Sequence, residues 1–467
     1  MMKKLIVFGL TVLCSFPAAA AQEGFLVGYW KGVIQAGGRK FTFVFTFSAD
    51  AQKGIQGFLD LPEQSEQNIP VDEIKITENK IYLDMKKIQR KFEGEFSADK
   101  KKIVGVYIRS DGTRLPLTLE RTDSAFSMKR PQTPQPPYPY KEDPVVIVNA
   151  DDQTKLAGAL TIPDGAGPFP ALILISGSGA QDRDETISGH KPFLVLADYF
   201  ARRGAAALRC DDRGAGESSG EHLAATTAVR AADVGWMIDY LLARKEIDRK
   251  RIFLLGHSEG SVMVSLAASR NPLVAGIILL SAPGLSIEEN LYLQNTLLRK
   301  AEGAGDEAIA QANALQRKIF SVVKEVTDDE EARAKLREIY SLNMYERLTA
   351  SQKRSIDERI ATLLTPYFRD IIKCEPSVPL SKVSCPVLAI IGEKDLQCPP
   401  KDNIPALEKA LRAGGNQNFQ IIEMDGLNHL LQSSTSGSMS EYASIEETIS
   451  PRALAAISDW LFSIKDK

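Results

Sequence analysis

Histidine and cysteine are scarce in this chain: 467 residues include four histidines and five cysteines. The histidines, His190, His222, His257 and His429, form no His-Glu-x-x-His motif, the cysteines show no paired zinc spacing, and no Gly-x-x-x-x-Gly-Lys-Ser/Thr loop occurs. The sequence therefore gives no reason to expect a metal ion or an organic cofactor. So few cysteines in so long a chain do not make a disulfide framework, and Cys210, Cys374, Cys385 and Cys398 are expected as buried free thiols. An excess of either charge is also missing, because 57 Lys and Arg face 60 Asp and Glu. A net charge of -3 creates no basic field for phosphate backbones, which argues against a nucleic-acid partner, and Lys100-Lys101-Lys102 reads as a solvated turn. Apart from the N-terminus, no apolar run approaches the roughly 18 residues of a membrane span.

What is present is an ordinary globular composition, 44% hydrophobic against 25% charged, which allows packed domains and excludes a disordered chain. At roughly 150 residues per domain the length admits two or three compact units. The N-terminus runs Met-Met-Lys-Lys, an apolar stretch from Leu5 to Phe16, Pro17, and four alanines ending at Ala21. That order of charge, short apolar core and small residues is expected to be a cleavable export signal over 1–21, cut near Ala20 or Ala21. Cys14 does not make it a lipoprotein site, since Leu13 stands where a small residue is needed. Export would leave the mature chain periplasmic or extracellular, with no stable membrane insertion.

Residues 22–125 show period-two runs, Phe41 to Phe47, Lys80 to Met85, Lys91 to Phe96, Ile103 to Ile108 and Leu115 to Leu119, broken by turn residues. This alternation predicts a small antiparallel β domain, a sandwich or a barrel. Within it, Gly-Tyr-Trp-Lys-Gly at 28–32 reads as a core plug in preference to a ligand platform. The proline-rich stretch 126–143 is expected to be an extended linker. From 144 to 467 short apolar runs alternate with amphipathic helices. Ala171 to Ile175, Ala205 to Leu208, Ile252 to Leu255, Gly276 to Leu280, Val387 to Ile391 and Phe419 to Ile422 predict strands buried on both faces of a mostly parallel sheet, in an α/β fold. The strand pattern stops at about 286–379, where charged helical segments suggest a cap over the mouth of a site.

Gly256-His257-Ser258-Glu259-Gly260 joins the strand Ile252 to Leu255 to a helical run beginning at Ser261. A strand-to-helix turn this sharp needs small flanking residues and lifts the serine hydroxyl above the carboxyl edge of the sheet. Serine is a poor nucleophile without a base. Among the four histidines, His429 follows the last apolar run and projects from the same edge, so it is the expected base; activity should rise with pH as it becomes neutral. Asp395, in Gly392-Glu393-Lys394-Asp395 after the preceding strand, is expected to orient that imidazole, with Glu393 and Asp425 as rivals. A developing oxyanion needs two backbone donors. Glu259 supplies one through its N–H, and the glycine-rich Ser176-Gly177-Ser178-Gly179 loop supplies the other, assigned to Ser178 in preference to Gly179. The interspersed charges of Asp182 to Glu185 and Arg209 to Arg213 read as a salt-bridge network bracing two strand-exit loops in preference to a substrate-binding set.

Several strings resemble secreted bacterial α/β-hydrolase esterases that carry an N-terminal β domain. They are Gly-Tyr-Trp-Lys-Gly, the linker from Arg130-Pro131-Gln132 to Tyr138-Pro139-Tyr140, residues 176–184, residues 211–218, the elbow at 256–260, Gly-Glu-Lys-Asp-Leu-Gln at 392–397 and Leu-Asn-His-Leu-Leu-Gln at 427–432. The resemblance spans nearly the whole chain beyond residue 21. It implies an α/β-hydrolase fold, hydrolysis of small-molecule carboxylic esters, and Asp395 and His429 as acid and base. The oxyanion loop departs from the wider superfamily by opening Ser176-Gly177 where His-Gly is frequent. Two other readings stand beside this one: a serine aminopeptidase of the same fold, and an envelope- or carbohydrate-binding protein acting through its β domain.

Overall fold

The computed structural model describes residues 24–36, 39–50, 54–62, 66–123, 129–342 and 344–464. The expected export signal and its cleavage point lie outside them. The chain forms two compact units that divide between residues 127 and 128.

The first unit is one nine-stranded sheet. Its strands are β1 (Gly28–Ala36), β2 (Arg39–Asp50), β3 (Gly54–Leu61), β4 (Glu66–Val71), β5 (Glu73–Thr77), β6 (Lys80–Met85), β7 (Arg90–Phe96), β8 (Lys102–Ile108) and β9 (Arg114–Thr122). They are ordered β4-β3-β2-β1-β9-β8-β7-β6-β5, with antiparallel registers such as Phe92 opposite Tyr107. The two edge strands are consecutive in the chain, and Ile69 of β4 shares one apolar cluster with Ile81 and Leu83 of β6. The sheet therefore curls around a single interior filled by Trp30, Phe45, Phe47 and Phe92. Alternation follows from this geometry: β6 buries Ile81, Leu83 and Met85 while the residues between them face outward. Trp30 is fully buried and its Nε1 donates to the Leu26 carbonyl at 2.8 Å, so the 28–32 motif is a core plug whose one polar atom is satisfied.

The second unit is an eight-stranded sheet with helices on both faces. Its strands are β10 (Tyr140–Val148), β11 (Lys155–Pro163), β12 (Phe169–Ile175), β13 (Ala206–Cys210), β14 (Ile247–His257), β15 (Val274–Leu280), β16 (Val387–Gly392) and β17 (Phe419–Met424). The order is β10-β11-β13-β12-β14-β15-β16-β17. β10, β11 and β13 pair antiparallel, and β13 to β17 are joined by parallel pairs through β12. One face carries α2 (Thr227–Leu242), α3 (Gly260–Arg270) and α10 (Pro400–Ala413) over a core including Ile173, Leu254, Val264 and Leu407. The other carries α1 (Pro192–Ala201) and α11 (Pro451–Ser463) over Leu172, Phe200, Phe253 and Trp460. Between β15 and β16 the chain leaves the sheet for α4 (Ile287–Ala301), α5 (Asp306–Glu325), α6 (Asp329–Ser341), α7 (Ala350–Leu363), α8 (Pro366–Ile371) and the short α9 (Ser377–Leu380). These helices have a core of their own around Phe320, Val323, Leu336 and Ile360.

One boundary differs from the sequence expectation. Residues read as a linker over 126–143 belong to the second unit from 128 onward, and β10 already begins at Tyr140. Arg130 donates to the carbonyls of Ser188, Ala443 and Ile445, and Gln132 bonds the backbone of Thr448 and Ile449. The run is not extended throughout, since it turns at Arg130–Thr133 with the Thr133 amide donating to the Arg130 carbonyl at 3.0 Å, and side-chain anchoring makes it a strap. The four cysteines among the described residues form no disulfide, and Cys210, Cys385 and Cys398 are buried.

Trp30→Ala should destabilise the first unit by about 3–5 kcal/mol, since it removes a large buried ring and orphans the Leu26 carbonyl. The check is the urea midpoint of that unit, which should drop while the second unit's transition stays in place.

Candidate active site

The turn from β14 into α3 is dictated by its glycines. A Cβ on Gly256 would lie 2.6 Å from the Gly260 carbonyl carbon, and one on Gly260 would lie 2.4 Å from the carbonyl oxygens of both Ile175 and Ser176. Between them Ser258 adopts φ 52°, a left-handed conformation costly for a side-chain-bearing residue and common at functional turns. Its amide continues the parallel ladder by donating to Leu280 at 2.8 Å. Ser258 is thereby raised at the carboxyl end of β14, beside the end of β12: a Cβ on Gly177 would lie 3.3 Å from the Ser258 Cβ.

Asp395 and His429 meet at the same edge. Asp395 follows β16, is 1% exposed, and accepts the Gln397 and Cys398 amides on Oδ1 at 2.8 Å each. His429 Nδ1 donates to Oδ1 at 2.9 Å and Oδ2 at 2.8 Å of that carboxylate. Of the two rivals, Glu393 accepts the Gly426 amide instead, and among the described residues the carboxylate on the His429 ring is that of Asp395, not of Asp425. The Leu427 to Gln432 string is built to hold the histidine. Asn428 Oδ1 accepts the Leu430 and Gln432 amides, its Nδ2 donates to the Gln432 side chain, and Leu431 takes φ 58°. The His429 carbonyl accepts from Ser281 Oγ at 2.7 Å and faces His257 Nε2 at 3.0 Å.

In the loop after β12, the Gly177 amide is taken by Glu185 Oε1 at 2.7 Å. The amides of Ser178 and Glu259 donate to no protein group among the described residues, which leaves both free for a ligand oxygen. Side chains tie the same segments together. Glu259 is ion-paired with the buried Arg230, and its Oε2 accepts from Ser178 Oγ at 2.8 Å and from Tyr367 of α8 at 2.7 Å. The helical insertion thus reaches the residue following Ser258. Asp212 accepts from Ser176 Oγ at 2.9 Å and from the Gln181 amide at 3.1 Å. Burial raises the Asp212 carboxyl to about 6, against the lowering effect of Arg230 and these two donors.

The charged strings at 182–185 and 209–213 form a bracing network. Arg183 pairs with Asp211 and Glu217, Arg209 with Asp184 and Glu142, and Arg213 with Asp233 and Asp152. Sequence reading missed Glu185, Arg230, Asp212 and Tyr367 as parts of the site. Glu185 and Asp212 stand in strings that were read only as bracing, whereas Arg230 and Tyr367 stand in plain amphipathic helices.

A profile of the family described as serine aminopeptidase, S33, matches residues 191–435, just over half of the chain and a span that contains Ser258, Asp395 and His429. The chain belongs to that hydrolase family. Its catalytic unit has the α/β-hydrolase fold, preceded by an antiparallel β sheet. Esterase EstD of Thermotoga maritima is 27% identical over 306 residues, 66% of this chain, and the chain spans about 65% of the length of that relative. An uncharacterized 31.7 kDa protein of Escherichia coli is 25% identical over 272 residues, covering 57% of this chain and 86% of that one. Among solved structures, an esterase of Pyrococcus furiosus superposes with a TM-score of 0.43 at 14% identity, over 73% of this chain and 99% of that one. Est1E of Butyrivibrio proteoclasticus with ferulic acid gives 0.40 at 17% identity, over 68% and 98%.

Two further histidines flank this hydrolase site. His190 bonds Thr448 Oγ1 and the Tyr442 carbonyl, both at 2.9 Å, while His222 packs its ring 4.8 Å from that of Tyr367 with neither ring nitrogen bonded. Burial lowers each imidazole from 6.5 to about 4. Between those values the unfolded chain binds more protons than the folded one, so their contribution to stability rises with pH and is lost as pH falls from 6.5 towards 4. The thermal midpoint should decline across that window, and His222→Phe should flatten the decline; thermal melts of both proteins at pH 7, 6, 5 and 4 check this.

Proposed function

We propose that this protein is a serine hydrolase that cleaves small-molecule carboxylic esters through an acyl-enzyme on Ser258. The observation that carries the proposal is the Asp395–His429 pair, buried and doubly bonded, at the strand edge where the Gly256–Gly260 turn presents Ser258. With Nδ1 committed to Asp395, His429 has Nε2 as its basic atom. In the first step Nε2 takes the Ser258 proton as Oγ attacks the ester carbonyl, and the oxyanion is held by the amides of Glu259 and Ser178. The tetrahedral intermediate collapses as the imidazolium protonates the departing alcohol. Water, deprotonated by the same Nε2, then releases the acid and restores Ser258. Asp395 keeps the tautomer and balances the charge that appears twice on the ring.

Membership in a family described as aminopeptidases gives a second reading, in which the substrate carries a free amino terminus. Recognition of an α-ammonium group requires a carboxylate with spare capacity beside the nucleophile. Among the described residues around Ser258, Glu259 is neutralised by Arg230, Asp395 is engaged by His429, Asp212 accepts from Ser176 and Gln181, and Glu185 faces His257. These commitments favour esters. The same proposal puts the enzyme in the periplasm or outside the cell, on the strength of the signal-like order of residues 1–21.

A fluorophosphonate probe should label Ser258 stoichiometrically, with hydrolysis of short p-nitrophenyl esters lost in parallel and amino-acyl p-nitroanilides cleaved far more slowly. Labelling elsewhere, or faster turnover of the amides, overturns the assignment. Asp395→Asn should keep the fold and lower kcat by roughly 10³- to 10⁴-fold, because it inverts the tautomer preference of His429. Steady-state kinetics alongside circular dichroism check this.

A further inference from the structure

A second acid–histidine pair lies behind the first. His257, the residue before Ser258, is 7% exposed, and Glu185 is 1% exposed. His257 Nδ1 stands 2.8 Å from Glu185 Oε1 and Nε2 stands 3.0 Å from the His429 carbonyl oxygen. A carboxylate and a backbone carbonyl are both acceptors, so the two contacts are hydrogen bonds together only if both ring nitrogens carry protons. Glu185 Oε1 also accepts the Gly177 amide at 2.7 Å. One carboxylate oxygen therefore fixes the Ser176–Gly177 peptide, one residue before Ser178, and, through the His257 ring, the backbone of His429. The two imidazoles sit 5.0 Å apart between ring centres.

We infer that Glu185 and His257 form a carboxylate–imidazolium pair at neutral pH whose two protonated nitrogens hold the base loop and the oxyanion loop in register, making both of them positioning residues for acyl transfer at Ser258. This rests on the Ser258–His429 reading above. The two histidines have opposite requirements: His429 must be neutral to act as a base, while His257 must stay charged to hold it. The groups facing His257 are Glu185 from the loop after β12, the His429 ring and carbonyl from the loop after β17, and Asp395 from the loop after β16. Burial opposes a charge on the ring, but the Glu185 charge and hydrogen bond, the His429 carbonyl and the Asp395 charge raise the imidazole above its ordinary value. The expected rate profile falls on its alkaline side as His257 loses its second proton. Glu185 itself has φ 51°, a left-handed conformation that aims its side chain back under the elbow.

The test has one arm independent of turnover. In the full chain labelled with ¹⁵N-histidine, one ring of four should keep both nitrogens protonated at pH 8, and backbone correlation should assign it to the residue before Ser258. The second arm is the pH profile of Glu185→Gln, which retains an acceptor but no charge. Loss of a charge-assisted bond should lower kcat roughly ten- to hundredfold with KM nearly unchanged, and move the alkaline limb down by about one pH unit or more. No imidazolium at pH 8, or a Glu185→Gln profile superimposable on the parent, overturns the inference. If Glu185→Gln fails to fold, the nitrogen spectrum of the parent decides. Ser258→Ala, measured in parallel, separates the two readings: retained ester turnover there sinks the serine mechanism, while the state of His257 is read regardless.

Discussion

Much of the second unit depends on one close approach, that of Gly260 to the carbonyl oxygens of Ile175 and Ser176. Only hydrogen fits at that contact, and it brings the first turn of α3 against the end of β12. The Gly256–Gly260 turn and the loop after β12 become neighbours because two backbones meet, with no long side chains between them. Once they meet, the left-handed Ser258, the free amides of Ser178 and Glu259 and the Glu185 carboxylate fall within a few ångströms of each other. The bonded pair Asp395 and His429 arrives from the loops after β16 and β17, two parallel strands further along the same edge. Parallel topology is what makes this economical, because every exit loop from β12 to β17 opens on the same side.

The parts legible in sequence were those in which a local rule and the tertiary role coincide. β12, β14, β15 and β16 are buried on both faces, and their unbroken apolar runs say so. The Gly-x-Ser-x-Gly turn is local strain written in small residues, and Asp395 and His429 sit in strings shaped by tight turns of their own. β10 was hidden because it is an edge strand with Pro144 in its middle and exposed Val146 and Val148, so neither continuous apolarity nor clean alternation marks it. Its neighbour β11, which lies between two strands, contains Gly158, where a Cβ would meet the Arg209 carbonyl at 2.4 Å. That glycine reads as a breaker in sequence and is a packing requirement in the fold.

The side chains that brace the site were illegible for a different reason. Glu185 meets a histidine 72 residues away, Arg230 meets Glu259 across 29, and Tyr367 meets Glu259 across 108. No periodicity encodes such pairs. A buried ion pair is costly to desolvate and is retained where geometry matters more than stability. Here the buried charges cluster on the loops that have to be held still, while the sheet beneath them is almost entirely aliphatic.

The helical insertion leaves β15 and returns to β16 through a narrow neck, where the Ile287 amide donates to the Cys374 carbonyl at 3.1 Å. The excursion of nearly ninety residues closes on itself there and has an interior of its own, and it is tied back to the sheet unit by Asp370, which accepts the Thr227 amide, and by Asn290, which donates to the Gln397 carbonyl. Among the described residues Tyr367 carries the hydrogen bond from those helices to Glu259, so a different excursion between β15 and β16 would leave that carboxylate to Ser178 and Arg230 alone.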